Sequence, residues 1–265
     1  MSRVRVRATD SVHGRVRVAG VGLSGHAERM CGRYASARRD DELAHRFHVS
    51  ELVGDELGPS WNVAPTQDVR GVLERVEADR PVRQLRTLRW GLVPSWAKDA
   101  KIGSRMINAR VETITDKPAF RRAAAKRRLI VPMDGYYEWQ APESGKGRKT
   151  PYYLTDPDGA PLAAAGLYEL WRDPSKSDDD PDRWLWTLTV ITTNATDTLG
   201  HIHDRSPLLL PDDLWDAWLD PDLTDASDVD ALLRRVPEPH LQPVEVSPAV
   251  GNVRNDSPGL VEPVA

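Results

Sequence analysis

Apolar residues fall in short runs along this chain, and the longest are of strand length. Runs rich in β-branched and aromatic residues at 69–76, 84–90, 129–131, 136–139, 152–154, 162–167 and 184–192 predict strands. Helices are predicted at 40–47, with Asp40 as N-cap and further acids in the first turn, and at 117–127, with Pro118 near the first turn. Two shorter helices are predicted at 211–219, with Trp215 and Trp218 facing inward, and at 227–235. The polar, acidic stretch 174–183 reads as a loop between strands, and the Pro-rich chain from Pro237 as an extended tail. Many strands with segregated helices and no βαβ alternation predict a single α+β domain. It is expected to rest on a mostly antiparallel, barrel-like sheet with peripheral helices, over residues 30–258, with 259–265 as a tail. Residues 1–29 alternate Val and Arg at 4–7 and 15–18 without a strand partner or a helical stripe. They are expected to be an unstructured or untranslated extension, and they carry no signal-peptide pattern.

Charge sharpens this picture. Residues 31–150 carry 23 basic and 16 acidic side chains, whereas residues 151–265 carry seven basic and 22 acidic. A basic half on a chain of net charge −4 suggests a local polyanion-binding face. Residues 101–128 are densest, with nine basic and two acidic side chains, although a charge run alone also fits a solvated helix face. No apolar run approaches the roughly 20 residues that span a bilayer, so a soluble, cytoplasmic protein is expected. The one cysteine, Cys31, excludes an intramolecular disulfide framework and a multi-cysteine zinc site. No Gly-rich phosphate loop or dinucleotide fingerprint appears, and no cofactor or metal is expected.

Cys31 follows Met30 directly. A lone cysteine is ordinarily a small buried hydrophobe. If Met30 initiates translation and is removed, however, Cys31 carries an α-amine and a β-thiol on adjacent carbons. An α-amine titrates near 7.7–8.0 and so is partly neutral at physiological pH, unlike a lysine near 10.4. Such an aminothiol traps aldehydes: the amine condenses to an imine, and the thiol closes on the imine carbon to give a thiazolidine. The other polar groups each have an ordinary structural reading when taken singly. Asn62 can cap a turn, Trp90 and Trp96 can be core, Glu138 can face solvent, and His203 can bond to Asp204.

Taken together, Met30-Cys31-Gly32-Arg33-Tyr34, Trp61-Asn62-Val63-Ala64-Pro65, Arg89-Trp90-Gly91-Leu92-Val93-Pro94-Ser95-Trp96, Asn108-Ala109-Arg110 with Glu112, Gly135-Tyr136-Tyr137-Glu138-Trp139 and His203-Asp204-Arg205 with Pro207 closely resemble the SOS-response-associated peptidase family, the abasic-site processing proteins. The resemblance implies a protein that binds abasic sites in single-stranded DNA and crosslinks to them through its N-terminal cysteine. It implies Cys31 as the crosslinking residue, Asn108 as its positioner, Glu138 as the proton-transfer group at the sugar, and His203 near the ring oxygen and in reversal. Arg33 and Arg110 would hold phosphates, and Trp90, Pro94, Trp96 and Trp139 would lie near flanking bases. Pro65, Thr192 and Arg205 complete the implied DNA contacts. In the family the cysteine follows the initiator methionine, so the active species is expected to begin at Cys31. The implied protein is a monomer, associated with the nucleoid through DNA and with no membrane partner.

Two other readings stand beside this one. A thiol peptidase would use Cys31 to attack a peptide, such as the leader preceding Cys31, with His203 as base. A non-covalent single-strand binder would need no cysteine at all.

Overall fold

A computed structural model describes residues 32–195 and 200–264. Its strands are β1 (Tyr34–Ser36), β2 (Glu51–Val53), β3 (Ser60–Val63), β4 (Asp68–Glu77), β5 (Arg80–Trp90), β6 (Asn108–Arg110), β7 (Arg128–Met133), β8 (Gly135–Gln140), β9 (Thr150–Thr155), β10 (Leu162–Arg172), β11 (Trp184–Asn194), β12 (Arg205–Pro207) and β13 (Gln242–Glu245). The helices are α1 (Asp40–Arg46), α2 (Arg121–Lys126), α3 (Trp215–Leu219) and α4 (Ala226–Leu233), supplemented by short 3₁₀ turns.

Five long strands close on themselves in the order β4, β5, β11, β10, β7 and back to β4. Every contact in this ring is antiparallel except β5 with β11, which pair in parallel and seal it. Burial on both faces fits the nearly continuous apolar sequences of β7 and β10, whereas β4 and β5 interleave charged residues. Along β10, Leu162, Ala164 and Tyr168 point into one core cluster, while Ala163, Ala165 and Leu167 point into another. The same two-residue alternation divides Leu129 and Val131 from Ile130 in β7, and Leu188 and Val190 from Ile191 in β11. The first cluster fills the barrel. The second lies under α2, α3 and α4, where Trp215 and Trp218 are buried as expected. The β4–β5 hairpin turns on Ala78 and Asp79, both with left-handed backbone (φ +47° and +61°), the geometry that matches strand twist in a two-residue turn.

A second sheet, ordered β13, β9, β8, β1, β3, covers one end of the barrel. Its Tyr34, Tyr136 and Leu154 join the barrel core, whereas Ala35, Tyr137 and Tyr153 face a third cluster with Val246, Val250 and Leu260 of the C-terminal segment. The predicted α+β, barrel-like domain is therefore present.

Local expectations needed adjustment. Asp40 is the first residue of α1, not its cap; Arg39 holds the cap position, and the Asp40 carboxylate accepts from Arg70. The helix expected at 117–127 shortens to α2, because Pro118 and its neighbours form the preceding turn. The extended tail contains β13 and two 3₁₀ turns. Residues 1–29 lie outside the described residues.

Candidate functional site

β1 runs antiparallel to β8 with Tyr34 opposite Tyr136, and the Tyr137 N–H donates to the Arg33 carbonyl at 2.9 Å. Carried one residue further, this register sets Gly32 opposite Glu138. Glu138 is 3% exposed, and alternation along β8 gives it the face of Tyr136, toward the barrel. Cys31 lies just outside the described residues.

Asn108 opens β6, which pairs in parallel with β11 so that Asn108 sits opposite Val190. His203 lies on the connection into β12, and the Gln140 side chain at the end of β8 donates to the His201 carbonyl at 3.0 Å. The Gln140 contact ties the end of β8 to the segment that carries His203. Ile107, Tyr136 and Ile202, close sequence neighbours of Asn108, Glu138 and His203, share one core cluster with Tyr34. The His203 ring is held at Nδ1, which accepts from the Arg205 N–H (3.1 Å) and lies 2.9 Å from Asp204 Oδ1. A neutral ring uses that nitrogen as an acceptor from Arg205; a charged ring donates from it to Asp204.

A cavity of about 450 Å³ is lined by Gly32, Arg33, Ala64, Pro65, Thr66, Ser104, Trp139 and Val253, but not by Asn108, Glu138 or His203. Its volume falls within the range of ligand sites. A larger cleft of about 720 Å³ is lined by Glu74, Asp79, Asp216, Asp220 and Asp222 beside one arginine, Arg83, and this charge disfavours a polyanion.

Of the residues expected at DNA, Pro65 and Trp139 line the cavity. Arg33 does too, but its Nη1 donates to Asn62 Oδ1 and to the Val250 carbonyl, both at 2.9 Å, and burial lowers its pKa. Arg110 is exposed at the end of β6, and Trp96 is 59% exposed on the loop after β5. That loop is anchored where Gly91 meets Gly103. Gly91 has φ +126°, and a Cβ there would lie 2.6 Å from the Gly103 carbonyl oxygen.

Four of the residues expected at DNA are buried. Trp90 is 1% exposed, packs edge-on to Tyr34 at 5.3 Å and donates from Nε1 to the Ile107 carbonyl at 2.9 Å. These contacts fix the residue before Asn108. Pro94 is buried at the root of the Trp96 loop. Thr192 is fully buried within β11. Arg205 is buried and turns inward, forking to Glu112 (2.6 and 3.1 Å) and donating to Asn194 Oδ1 (2.5 Å) and the Thr192 carbonyl (2.6 Å). This pairing lowers the pKa of Glu112.

The basic run 101–128 divides in the same way. Lys101, Arg105, Arg121, Arg122 and Lys126 are exposed, but Arg127 pairs with Glu169. Arg128 donates to the Trp218, Ala124 and Asp220 carbonyls, and burial brings its pKa down to about 10. Thr66, Ser104 and Val253 were not singled out from the sequence. None belongs to a recognisable chemical pattern, and Val253 lies nearly 190 residues from Pro65.

The model of the SOS response associated peptidase (SRAP) family matches residues 30–253. The chain is 37% identical over 234 residues to the abasic site processing protein YoqW of Bacillus subtilis, covering 88% of this chain and 99% of that protein. It is 30% identical to the abasic site processing protein HMCES of Xenopus tropicalis, over 86% of this chain and 77% of the relative. A solved structure from Bacteroides thetaiotaomicron matches with a TM-score of 0.73 at 23% identity, over 89% of this chain and all of that one, a likeness of fold.

Proposed function

Since the chain belongs to the SOS response associated peptidase family, we propose that it binds abasic sites in single-stranded DNA and crosslinks to them through Cys31, which becomes the N-terminal residue once Met30 is removed. The observation that carries this reading is the register of β1 on β8, which sets Gly32, the residue after Cys31, opposite buried Glu138.

The chemistry follows from the groups present. An abasic deoxyribose exists mainly as a closed hemiacetal, so its ring must open before an amine attacks C1′. Glu138 and His203 supply a carboxyl and an imidazole for that proton transfer. The Cys31 amine adds to the aldehyde to give a carbinolamine, which expels one water to form the imine. The thiol then adds across the C=N bond, its proton passing to nitrogen, and a five-membered thiazolidine closes with no further loss. His203, fixed at Nδ1, has Nε2 for a proton near the ring oxygen and for the reverse reaction. Asn108 positions the sugar, Arg33 and Arg110 meet phosphates, and Pro65, Trp96 and Trp139 meet neighbouring bases.

The test is crosslinking of an abasic oligonucleotide by protein beginning at Cys31 and by protein retaining all 29 residues before Met30. The Cys31 form should react and the extended form should not. Equal rates would remove the α-amine from the mechanism, and release of an N-terminal peptide in place of a DNA adduct would favour the peptidase reading.

A further inference from the structure

We propose that the C-terminal loop 250–256 is one jaw of a slot for an unpaired nucleobase, with Val253 as its contact residue and Asn62 as the positioning residue that holds it. The proposal rests on the reading of the cavity as a single-stranded DNA site.

Beyond Val250, which packs in the third core cluster, the loop is placed by polar contacts. Every residue from 251 to 259 is exposed, between buried Val250 and buried Leu260. Its position is set from β3. The Asn62 amide, itself 2% exposed, donates from Nδ2 to the carbonyls of Val250 (3.2 Å), Asn252 (3.1 Å) and Asn255 (2.8 Å). Asn62 Oδ1 and the Val250 carbonyl both accept from Arg33 Nη1, and the Trp61 N–H donates to Asp256 Oδ1 at 2.6 Å. One buried amide therefore joins β3, the loop and the arginine two residues after Cys31.

What the clamp presents is Val253. It is the only aliphatic side chain between Val250 and Leu260, it is 50% exposed, and it lines the same cavity as Pro65 and Trp139. An apolar wall of this kind with Arg33 beside it matches a flat base on a charged backbone. The base meets Trp139, Pro65 and Val253, and the guanidinium meets phosphate. The loop carries its own reporter, since Arg254, next to Val253, is an exposed tryptic site.

The experiment combines saturation kinetics with limited trypsinolysis on the protein beginning at Cys31. Val253→Asp should raise the half-saturating concentration of abasic oligonucleotide by about fivefold or more while the maximal adduct rate stays within about twofold. Val253→Leu should restore wild-type behaviour. Asn62→Ala should give the same split and also speed cleavage after Arg254. An undamaged single-stranded oligonucleotide should protect Arg254 in the wild type and not in Val253→Asp. Wild-type half-saturation in Val253→Asp, or no protection of Arg254, overturns the slot even if Asn62→Ala fails to fold. The two readings fail separately: if undamaged strand protects Arg254 but no adduct forms on abasic DNA, the slot stands and the crosslinking reading falls.

Discussion

Arg205 separates a structural arginine from a DNA-binding one, so truncating it is a sharp test of the site. In Arg205→Ala the Thr192 carbonyl inside the barrel wall loses its partner, a loss of about 1–3 kcal/mol for a buried acceptor. The apolar stem of the side chain, buried with the head, adds about 1–2 kcal/mol. Glu112 is 43% exposed and can be rehydrated, so the ion pair itself adds no more than about 1 kcal/mol. The expected destabilisation is about 3 kcal/mol, or roughly 6–12 °C in Tm for a domain of this size. Arg205→Lys should recover only part of it, because an ammonium cannot fork to Glu112 while reaching Thr192. Arg205 holds the folded-state pKa of Glu112 below its ordinary value, so the pair stabilises fully above about pH 4.3. That contribution is lost as the pH falls through the lowered value, and the gap between wild type and Arg205→Ala should narrow in acid. Thermal and urea unfolding across pH, with single-strand binding across salt, measure both sides. A Tm within about 2 °C of wild type, with the ion-release slope reduced by about 0.7, would make Arg205 a phosphate ligand and refute the structural account.

Trp90, at the end of β5, and Trp96, on the loop after it, should part company. Trp96→Ala should weaken single-strand binding by about 5- to 150-fold, with Tm nearly unchanged, whereas Trp90→Ala should cost about 3–5 kcal/mol of stability. Arg110→Ala should lower the salt slope by about 0.7 without altering Tm. Glu138→Gln should slow adduct formation by about 100-fold or more while binding persists, and His203→Ala should chiefly slow release of the sugar from a preformed adduct. Strand-transfer assays to a competing abasic oligonucleotide, run on both variants, check that division.

The barrel was legible because its strands concentrate β-branched, leucine and aromatic residues at buried positions, and each of its five strands overlaps a stretch that the sequence marks as a strand. The short strands were not. Tyr34–Ser36, Asn108–Arg110 and Arg205–Pro207 are three residues each, and their extended shape comes from partners distant in sequence. The family resemblance placed both Trp90 and Trp96 near bases, while residue type alone allowed both to be core. What separates them is the Ile107 carbonyl and the Tyr34 ring around one, and the polar neighbours Ser95, Lys98 and Asp99 around the other. The inward turn of Arg205 depends on Glu112, 93 positions away, and the Asn62 clamp on carbonyls 188 to 193 positions away. Neither partnership leaves a trace in local pattern. Glu138, Asn108 and His203 were singled out by their motifs, since no periodicity marks a buried glutamate on a strand.

The central claim is that Cys31 closes a thiazolidine on the abasic sugar. The most direct measurement is the intact mass of the complex formed by protein beginning at Cys31 with an abasic single strand, taken with and without borohydride and followed by peptide mapping. The account predicts the summed masses of protein and DNA less one water, unchanged by borohydride because no imine persists, with the sugar on Cys31. A complex that gains two hydrogens, a sugar mapped to another residue, or no covalent complex at all would contradict it.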